Sequence, residues 1–315
     1  MEARSPVHRA CACLFYGSGI IGTLLIYGLL QERIMSAPYD GELFGTSIFL
    51  VFLNRFVAVA FASGMAFKRG EGFWHVAPLW KYVAISLSNV YASACQYEAL
   101  KYVSFPVQML GKSFKMMPVM LWGMVVSHKR YKLVDWLVAA MVTLGVTQFL
   151  MTGPISSKSS QGTSFFGLGL LVAFLCLDGF TSTYQEVLFK EHRTSKYNQM
   201  IWVNFASCLV SLATLLLTRS LGTALSFVGH HPAFLADATM LSGSAVAAQW
   251  FIYSQVKEFG ALVFAATMNV RQVTSILLSY VTYGHSITLW QMIGLCVVFG
   301  ALFFKSAMGL MTPSE

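Results

Sequence analysis

Residues 133–152 read LVDWLVAAMVTLGVTQFLMT, a run in which Asp135 is the only charged side chain. A helix needs about 20 predominantly apolar residues to cross the hydrocarbon core of a bilayer. Other runs of this character lie at 11–30, 44–67, 80–100, 104–127, 165–189, 199–218, 234–256, 259–282 and 287–309. The pattern predicts an all-α integral membrane protein with ten transmembrane helices.

The composition of the 315-residue chain fits this location. Apolar residues make up 56% of it, charged residues only 11%, and the mean hydropathy is +0.63, whereas soluble domains carry roughly a quarter charged residues. The positive charges behind the net charge of +8 lie in short clusters between apolar runs, which argues against a nucleic-acid partner. The six cysteines show neither zinc-like nor disulfide spacing, and we expect no metal or cofactor.

The distribution of Lys and Arg predicts the orientation of the helices. With a cytosolic N-terminus, 13 of the 21 Lys and Arg residues fall in cytosolic segments and four on the opposite side, while the other four lie inside apolar runs. Cytosolic loops carry an excess of Lys and Arg. An even number of helices also puts both termini on one side, so we expect both termini in the cytosol.

A polar linker at 154–164 divides the predicted helices into two sets of five, residues 1–153 and 165–315. Because five is odd, the second set would run inverted relative to the first. Inverted repeats with a substrate site at their interface are a common plan of transporters.

A short internal repeat supports this division. Lys115 follows Lys101 by fourteen residues in the fourth run, and Arg271 follows Lys257 by fourteen residues in the ninth. The two runs hold equivalent places in the two halves, which indicates that Lys115 and Arg271 have equivalent roles.

Lys112 and Lys115 project from nearly the same face of their predicted helix, because they are three residues apart. A cation at the bilayer centre costs about 2.5–3.5 kcal/mol on insertion scales, and the two like charges also repel. Two explanations stay open. Internal carboxylates, with Glu98, Asp178 and Glu186 as candidates, could neutralise the lysines permanently. Alternatively, the lysines bind a transient polyanion such as a nucleotide diphosphate or phosphosulfate.

A second polar patch lies in the ninth run, where Arg271 is accompanied by Asn269 and Gln272. Such residues can hydrogen-bond between membrane helices. We favour a substrate-binding role for Arg271 because its position matches that of Lys115.

Other polar residues in the predicted helices are candidates for the same substrate site. They are Asn89, Tyr97, Gln108, Tyr184 and Gln185. The two tyrosines could stack on a base, although aromatic residues in membrane helices more often serve packing. Arg55 could also line the site, snorkel, or pair with Glu98.

Two further features predict structure rather than binding. Gly17, Gly19 and Gly22 match a dinucleotide-binding pattern, but no strand precedes them and no acidic residue follows at the required distance, so we expect close helix packing. The histidines lie mostly in connections, and we expect the His230-His231 pair to be solvated.

Several stretches are distinctive as sequence. They are LQERIM (30–35), QYEALKYVSFP (96–106) running into GKSFK (111–115) and PVM (118–120), DGFTST (178–183), and FGA (259–261) with Arg271-Gln272. Together they resemble the nucleotide-sugar transporter family, specifically the B branch of solute carrier family 35, and the resemblance covers nearly the whole chain.

The resemblance implies the drug/metabolite transporter fold, with ten helices in two inverted five-helix repeats. Members exchange a cytosolic nucleotide-activated donor for a lumenal nucleotide in the Golgi or endoplasmic reticulum membrane. By that likeness Lys112, Lys115 and Arg271 would contact phosphates. The partners would be the donor, the counter-transported nucleotide and the bilayer, with a homo-oligomer left open.

Two subgroups of that branch are similar to this chain. The UDP-galactose/UDP-glucose transporters are suggested by residues 178–190 and 259–268, and we take these sugars as the first choice of donor. Transporters of 3′-phosphoadenosine 5′-phosphosulfate (PAPS) are suggested by residues 203–209, 227–241 and 283–285. The C-terminus shows no lysine retrieval signal, which favours the Golgi membrane over the endoplasmic reticulum.

An intramembrane enzyme and a receptor or scaffold are the rival classes. An enzyme would need a constellation such as paired aspartates or a Ser/His pair at membrane depth, and the sequence offers none. The short connections leave little ectodomain for a receptor. We therefore expect a secondary active transporter.

Overall fold

The structure is a computed structural model that describes residues 6–36, 38–99, 102, 111–152, 165–283 and 288–311. Regular structure in these residues is helical, apart from an isolated β-bridge between Tyr39 and Glu42. The helices are α1 (Pro6–Ser36), α2 (Ser47–Lys68), α3 (Leu79–Ala99), α4 (Met116–Ser127), α5 (Leu133–Met151), α6 (Phe165–Glu191), α7 (Lys196–Leu217), α8 (Ser220–His230), α9 (Pro232–Phe259), α10 (Ala261–Tyr283) and α11 (Leu289–Met311).

Each predicted apolar run contains at least part of a helix, but the start of α4 and the connection after α7 differ from expectation. α4 begins only at Met116; residues 111–113 of the predicted run are helical, and its residues 104–110 lie outside the described residues. The connection after α7 contains the additional helix α8, which the hydropathy of the sequence did not predict. α8 forms because Leu221, Ala224 and Phe227, spaced three residues apart, pack on one apolar core.

Several helices have the length and hydrophobicity of membrane spans. Within the described residues, Val7–Gln31, Ile48–Lys68, Phe165–Glu191 and Lys196–Leu217 meet both criteria. Shorter apolar helices cover Met116–Ser127, Leu133–Phe149 and Leu289–Leu302. The chain is thus an all-helical, multi-pass membrane protein, whereas ten spans in an inverted repeat stay a prediction.

The chain forms two compact units. The first comprises residues 1–13, 88–184 and 259–315, and the second comprises residues 14–87 and 185–258. Each unit takes helices from both halves of the sequence.

The core of the first unit is apolar and is built by α4, α5, α10 and α11. Met120 of α4, Val142 and Phe149 of α5, Ala265 of α10 and Val298 of α11 are all buried in it. Because four helices share this core, it fixes the start of α4 relative to α10.

In the second unit, α1 and α9 pack closely at one of the predicted glycines. A Cβ atom on Gly19 would lie 2.5 Å from the ring of Phe251, whereas one on Gly22 would meet nothing within 4 Å. Small residues let membrane helices approach in this way. The predicted packing role is therefore confirmed for Gly19 and is wrong for Gly22.

The His230-His231 pair separates into two different environments. His230 is exposed, but His231 is buried and its two ring nitrogens face Asp40 at 3.2 Å and Glu42 at 3.4 Å. The expectation that both are solvated is wrong for His231. A tight turn at Asp40-Gly41, both with positive φ, brings the two carboxylates to the ring.

Candidate functional site

The helical backbone is interrupted just before α4, and Lys115 is the last residue of this interruption. Residues 111–113 are helical, Phe114 and Lys115 form a turn, and α4 starts at Met116. Pro118 lies in the first turn of α4, where its missing N–H leaves no helical hydrogen bond unmade. Lys112 therefore lies in the helical residues before the turn and Lys115 in the turn itself, rather than both inside one continuous helix.

The ammonium group of Lys115 is paired with a carboxylate. Its Nζ atom lies 2.7 Å from Oδ2 of Asp178, and the ring of Phe264 faces it with the centroid at 4.5 Å. The Lys115 side chain is 8% exposed and that of Asp178 is 25% exposed. Lys115 thus contacts one of the carboxylates that the sequence offered as partners, whereas permanent neutralisation and transient binding of a polyanion both stay predictions.

Glu186 and Glu98 were the other carboxylates that the sequence offered as partners of the lysines. Glu186 forms an ion pair with Lys190 at 2.9 Å, one turn along α6. The side chain of Glu98 lies outside the described residues. Among the described side chains of these three, Asp178 is therefore the carboxylate that contacts Lys115.

Close packing of α6 on α4 brings Asp178 to Lys115. A Cβ atom on Gly179 would lie 2.9 Å from Cβ of Pro118, so the two helices touch beside the ion pair. One turn further, the hydroxyl of Thr183 donates to the carbonyl of Val119 at 3.4 Å. The position of Asp178 is thus set by backbone contact, not by the ion pair alone.

Hydrogen bonds to the backbone of α6 fix the same turn. The indole of Trp122 donates to the carbonyl of Cys176, and the hydroxyl of Ser88 donates to the carbonyl of Leu177, each at 2.8 Å. Two neighbouring helices thereby hold the two residues that precede Asp178.

Arg271 and Lys112 complete a cluster of charges. Both are half-buried, and the charges of Arg271 and Asp178 act on Lys112. With Lys115, and counting only side chains that the structure describes, the cluster contains three cations and one carboxylate, formally a net charge of +2. We call these four residues the cation cluster.

Polar neighbours of Arg271 connect α10 to the segment that carries the lysines. Asn269 is buried, and its Nδ2 atom donates to the carbonyl of Ser113 at 3.3 Å. Gln272 is also buried. The three residues of the predicted polar patch therefore lie in the first unit, as do Lys112 and Lys115.

The remaining sequence candidates are more scattered. Asn89 and Tyr184 are half-buried in the first unit, and the Tyr184 ring stacks on Phe180 with centroids 4.9 Å apart. Gln185 lies in the second unit, where it donates to the hydroxyl of Tyr253 at 3.3 Å. Gln108 and the side chain of Tyr97 lie outside the described residues.

A polar network in the second unit includes residues that sequence reasoning did not single out. Nη1 of Arg55 donates to Oδ1 of Asn204 at 3.1 Å, and Nδ2 of Asn204 donates to Oε1 of Gln249 at 2.8 Å. The cation inside an apolar run was visible in the sequence. Its amide partners were not, because they lie on other helices and nothing in the local sequence tells which polar residue of those helices faces Arg55.

The sequence matches a known family over nearly its full length. The model described as the UAA transporter family covers residues 12–309. This chain belongs to the UAA transporter family. Membership confirms the predicted class: the UAA protein described here is a transporter and not an enzyme.

Relatives of this UAA transporter have two kinds of name. Adenosine 3′-phospho 5′-phosphosulfate transporter 1 of Dictyostelium discoideum is 48% identical over 91% of this chain and 81% of the relative. UDP-galactose/UDP-glucose transporter 5B of Arabidopsis thaliana is 44% identical over 93% of this chain and 87% of the relative. The human adenosine 3′-phospho 5′-phosphosulfate transporter 1 is 40% identical over 96% of this chain and 71% of the relative.

The fold is also found in a solved protein. One crystal structure aligns with a TM-score of 0.68 over 95% of this chain and 97% of its own, at 13% sequence identity. Such a likeness shows a shared fold and carries no information about substrate.

Proposed function

We propose that this UAA transporter is an antiporter that brings a nucleotide-activated donor from the cytosol into the lumen in exchange for a nucleotide. The observation that carries the proposal is the cation cluster, in which Lys115 contacts Asp178 and the charges of Arg271 and Asp178 both act on Lys112. A formal charge of +2 inside apolar helices complements a diphosphate or phosphosulfate. Lysine offers point charge and arginine a planar fork for such groups.

Two donors fit this chemistry. UDP-galactose or UDP-glucose is favoured by the sequence resemblance and by the 44% identity to the Arabidopsis thaliana relative. PAPS is the second candidate, supported by the 48% identity to the Dictyostelium discoideum relative. Both donors contain two linked anionic groups, so the cation cluster alone serves either.

The wider arrangement follows from the sequence. The proposal includes ten spans in two inverted repeats, residues 1–153 and 165–315, which give alternating access to a bound nucleotide. Both termini would lie in the cytosol and the protein in the Golgi membrane, with the endoplasmic reticulum as the alternative. The excess of Lys and Arg in the predicted cytosolic segments supports this orientation.

Additional contacts to the nucleotide are proposed for polar residues of the first unit. They are Asn269, Gln272, Asn89 and Tyr184. The other sequence candidates, Tyr97, Gln108 and Gln185, stay predictions.

Counterflow in proteoliposomes tests the proposal. Vesicles containing the purified protein are preloaded with UMP or with adenine nucleotides and then challenged with labelled UDP-galactose, UDP-glucose and PAPS. We expect uptake of at least one donor that depends on internal nucleotide, with protein-free vesicles as the control. A protein that takes up none of the three would contradict the proposal.

The pattern of uptake also distinguishes the donors. Exchange of a UDP-sugar for UMP identifies a nucleotide-sugar transporter, and exchange of PAPS for an adenine nucleotide identifies a phosphosulfate transporter. Uptake that is equal in loaded and empty vesicles would contradict antiport.

A further inference from the structure

We propose that Asp178 is an internal competitor for the phosphate group of the substrate. Its carboxylate would hold the Lys115 ammonium when no nucleotide is bound and release it when a phosphate arrives. This inference rests on the proposed function and assigns a role to a residue outside the proposed phosphate contacts.

The geometry of the ion pair suits an exchange of anions. The Nζ atom of Lys115 and Oδ2 of Asp178 are 2.7 Å apart, and the lysine side chain is 8% exposed while the aspartate is 25% exposed. An ammonium group has three donors. The aromatic face of Phe264 at 4.5 Å covers another side of this group and attracts it regardless of which anion is bound.

Asp178 cannot easily follow the lysine, because its helix is fixed. Gly179 is in close contact with Pro118, and the carbonyl of Leu177 accepts a hydrogen bond from Ser88. The short Asp178 side chain therefore stays in place. Lys115 has a flexible four-carbon stem, so opening of the pair is a movement of the lysine.

The charges predict what the carboxylate does to binding. With Asp178 ionised, the cation cluster is formally +2, and without it the charge would be +3. A carboxylate close to Lys112 and Lys115 repels an incoming phosphate and weakens its binding. The same carboxylate assists release, because it takes over an ammonium group that would otherwise be left buried and unpaired.

An exchanger benefits from this arrangement. Binding that is too tight lowers turnover, because the bound state must be left again in each cycle. Asp178 would thus lower the affinity for the nucleotide and raise the rate of exchange. A residue that only supports the fold would not have this pair of effects.

Kinetics of the near-isosteric variant Asp178→Asn test the inference. We expect the KM for the donor carried by the wild type to fall about threefold to tenfold, since each factor of ten corresponds to about 1.4 kcal/mol. The maximal exchange rate should fall at the same time. A purely structural defect would reduce the amount of active protein and the maximal rate but would not lower KM.

Three variants complete the design. Asp178→Ser also removes the charge and should show the same fall in KM. It provides a second neutral variant if the yield of Asp178→Asn is low. Asp178→Glu restores the carboxylate and should return KM toward the wild-type value. Asp135→Asn removes a carboxylate from the first turn of α5, away from the cation cluster, and should leave KM unchanged.

The outcomes separate this inference from the proposed function. If the wild-type protein shows no nucleotide exchange, the proposed function and the competitor role of Asp178 are both wrong. A wild-type protein that exchanges nucleotides, together with neutral Asp178 variants whose KM is unchanged or higher, overturns only the competitor role.

Discussion

The backbones of Gly145 and Gly294 lie in contact, and this contact joins α5 to α11. A Cβ atom on Gly294 would lie 2.7 Å from the carbonyl oxygen of Gly145, and one on Gly145 would lie 2.8 Å from the carbonyl oxygen of Gly294. A backbone carbonyl cannot move aside for an added Cβ atom as the end of a flexible side chain could. In lipid, the hydrophobic effect does not drive helices together, and van der Waals packing does so instead. Small residues such as these glycines allow that packing to be close.

Replacing Gly294 with valine should separate the two helices. We expect a loss of about 1–3 kcal/mol in stability, as in other overpacked cores, visible as a lower Tm of the purified protein in detergent. Gly300→Val is the matched control, because a Cβ at Gly300 on the same helix meets nothing within 4 Å. Equal Tm values for the two variants would contradict this packing.

Lys115→Ala and Arg271→Ala should each reduce nucleotide exchange at least about thirtyfold. Truncating one partner of a buried charge contact costs about 2 kcal/mol or more. Exchange in proteoliposomes measures the effect, with equal amounts of protein confirmed by gel filtration. Lys129→Ala, in the connection after α4, is the control and should retain activity. Normal exchange by either test variant would refute the assignment of phosphate contacts.

Asn204→Leu should destabilise the second unit. Asn204 accepts from Arg55 and donates to both Gln249 and the carbonyl of Met200, so a leucine deprives the half-buried Arg55 and Gln249 of this partner. We expect a cost of about 1–3 kcal/mol, measured as a fall in Tm.

Thr214→Val is the matched control for Asn204→Leu. Thr214 also lies on α7, but its hydroxyl donates to Val210 of the same helix, so its loss should cost less. A larger fall in Tm for Thr214→Val than for Asn204→Leu would show that the network contributes little.

The contact of His231 with the turn at Asp40 and Glu42 should stabilise the protein more at mildly acidic pH. Only the doubly protonated imidazole can donate to both carboxylates. The hydrogen bond to Asp40 raises the pKa of His231 above its ordinary value, against the opposing effect of burial, and Glu42 adds to the rise. A raised pKa in the folded state means that the stabilisation is fully present below the unfolded pKa of about 6.5 and is lost as pH rises through the folded value.

Melting curves of the wild type and His231→Gln between about pH 5.5 and pH 9 measure this effect, in the range where the unfolded pKa of about 6.5 is crossed. We expect the advantage of the wild type in Tm to be largest at the acidic end and to shrink as pH rises. His230→Gln, which changes the exposed neighbour, should behave as the wild type does. A wild-type advantage that grows with pH would contradict the assigned charge state.

The sequence by itself determined that the chain crosses a membrane and which cations are exceptional. Hydropathy is a local property, and the bilayer requires about 20 apolar residues in succession, so the runs could be found without any tertiary information. Lys112, Lys115 and Arg271 stood out for the same reason, since a cation in such a run is costly wherever the helix packs. The distinctive stretches around them also predicted the family correctly.

Only the tertiary structure decided which groups these residues meet. Asp178 and Glu186 were both candidates for neutralising Lys115, and the contact of Gly179 with Pro118 brings Asp178 to the lysine, while Glu186 pairs with Lys190. In the same way, the turn at Asp40 buried His231, which its sequence context had suggested was solvated. Pairing between residues far apart in the chain depends on which helix faces pack together, and no local pattern records that choice.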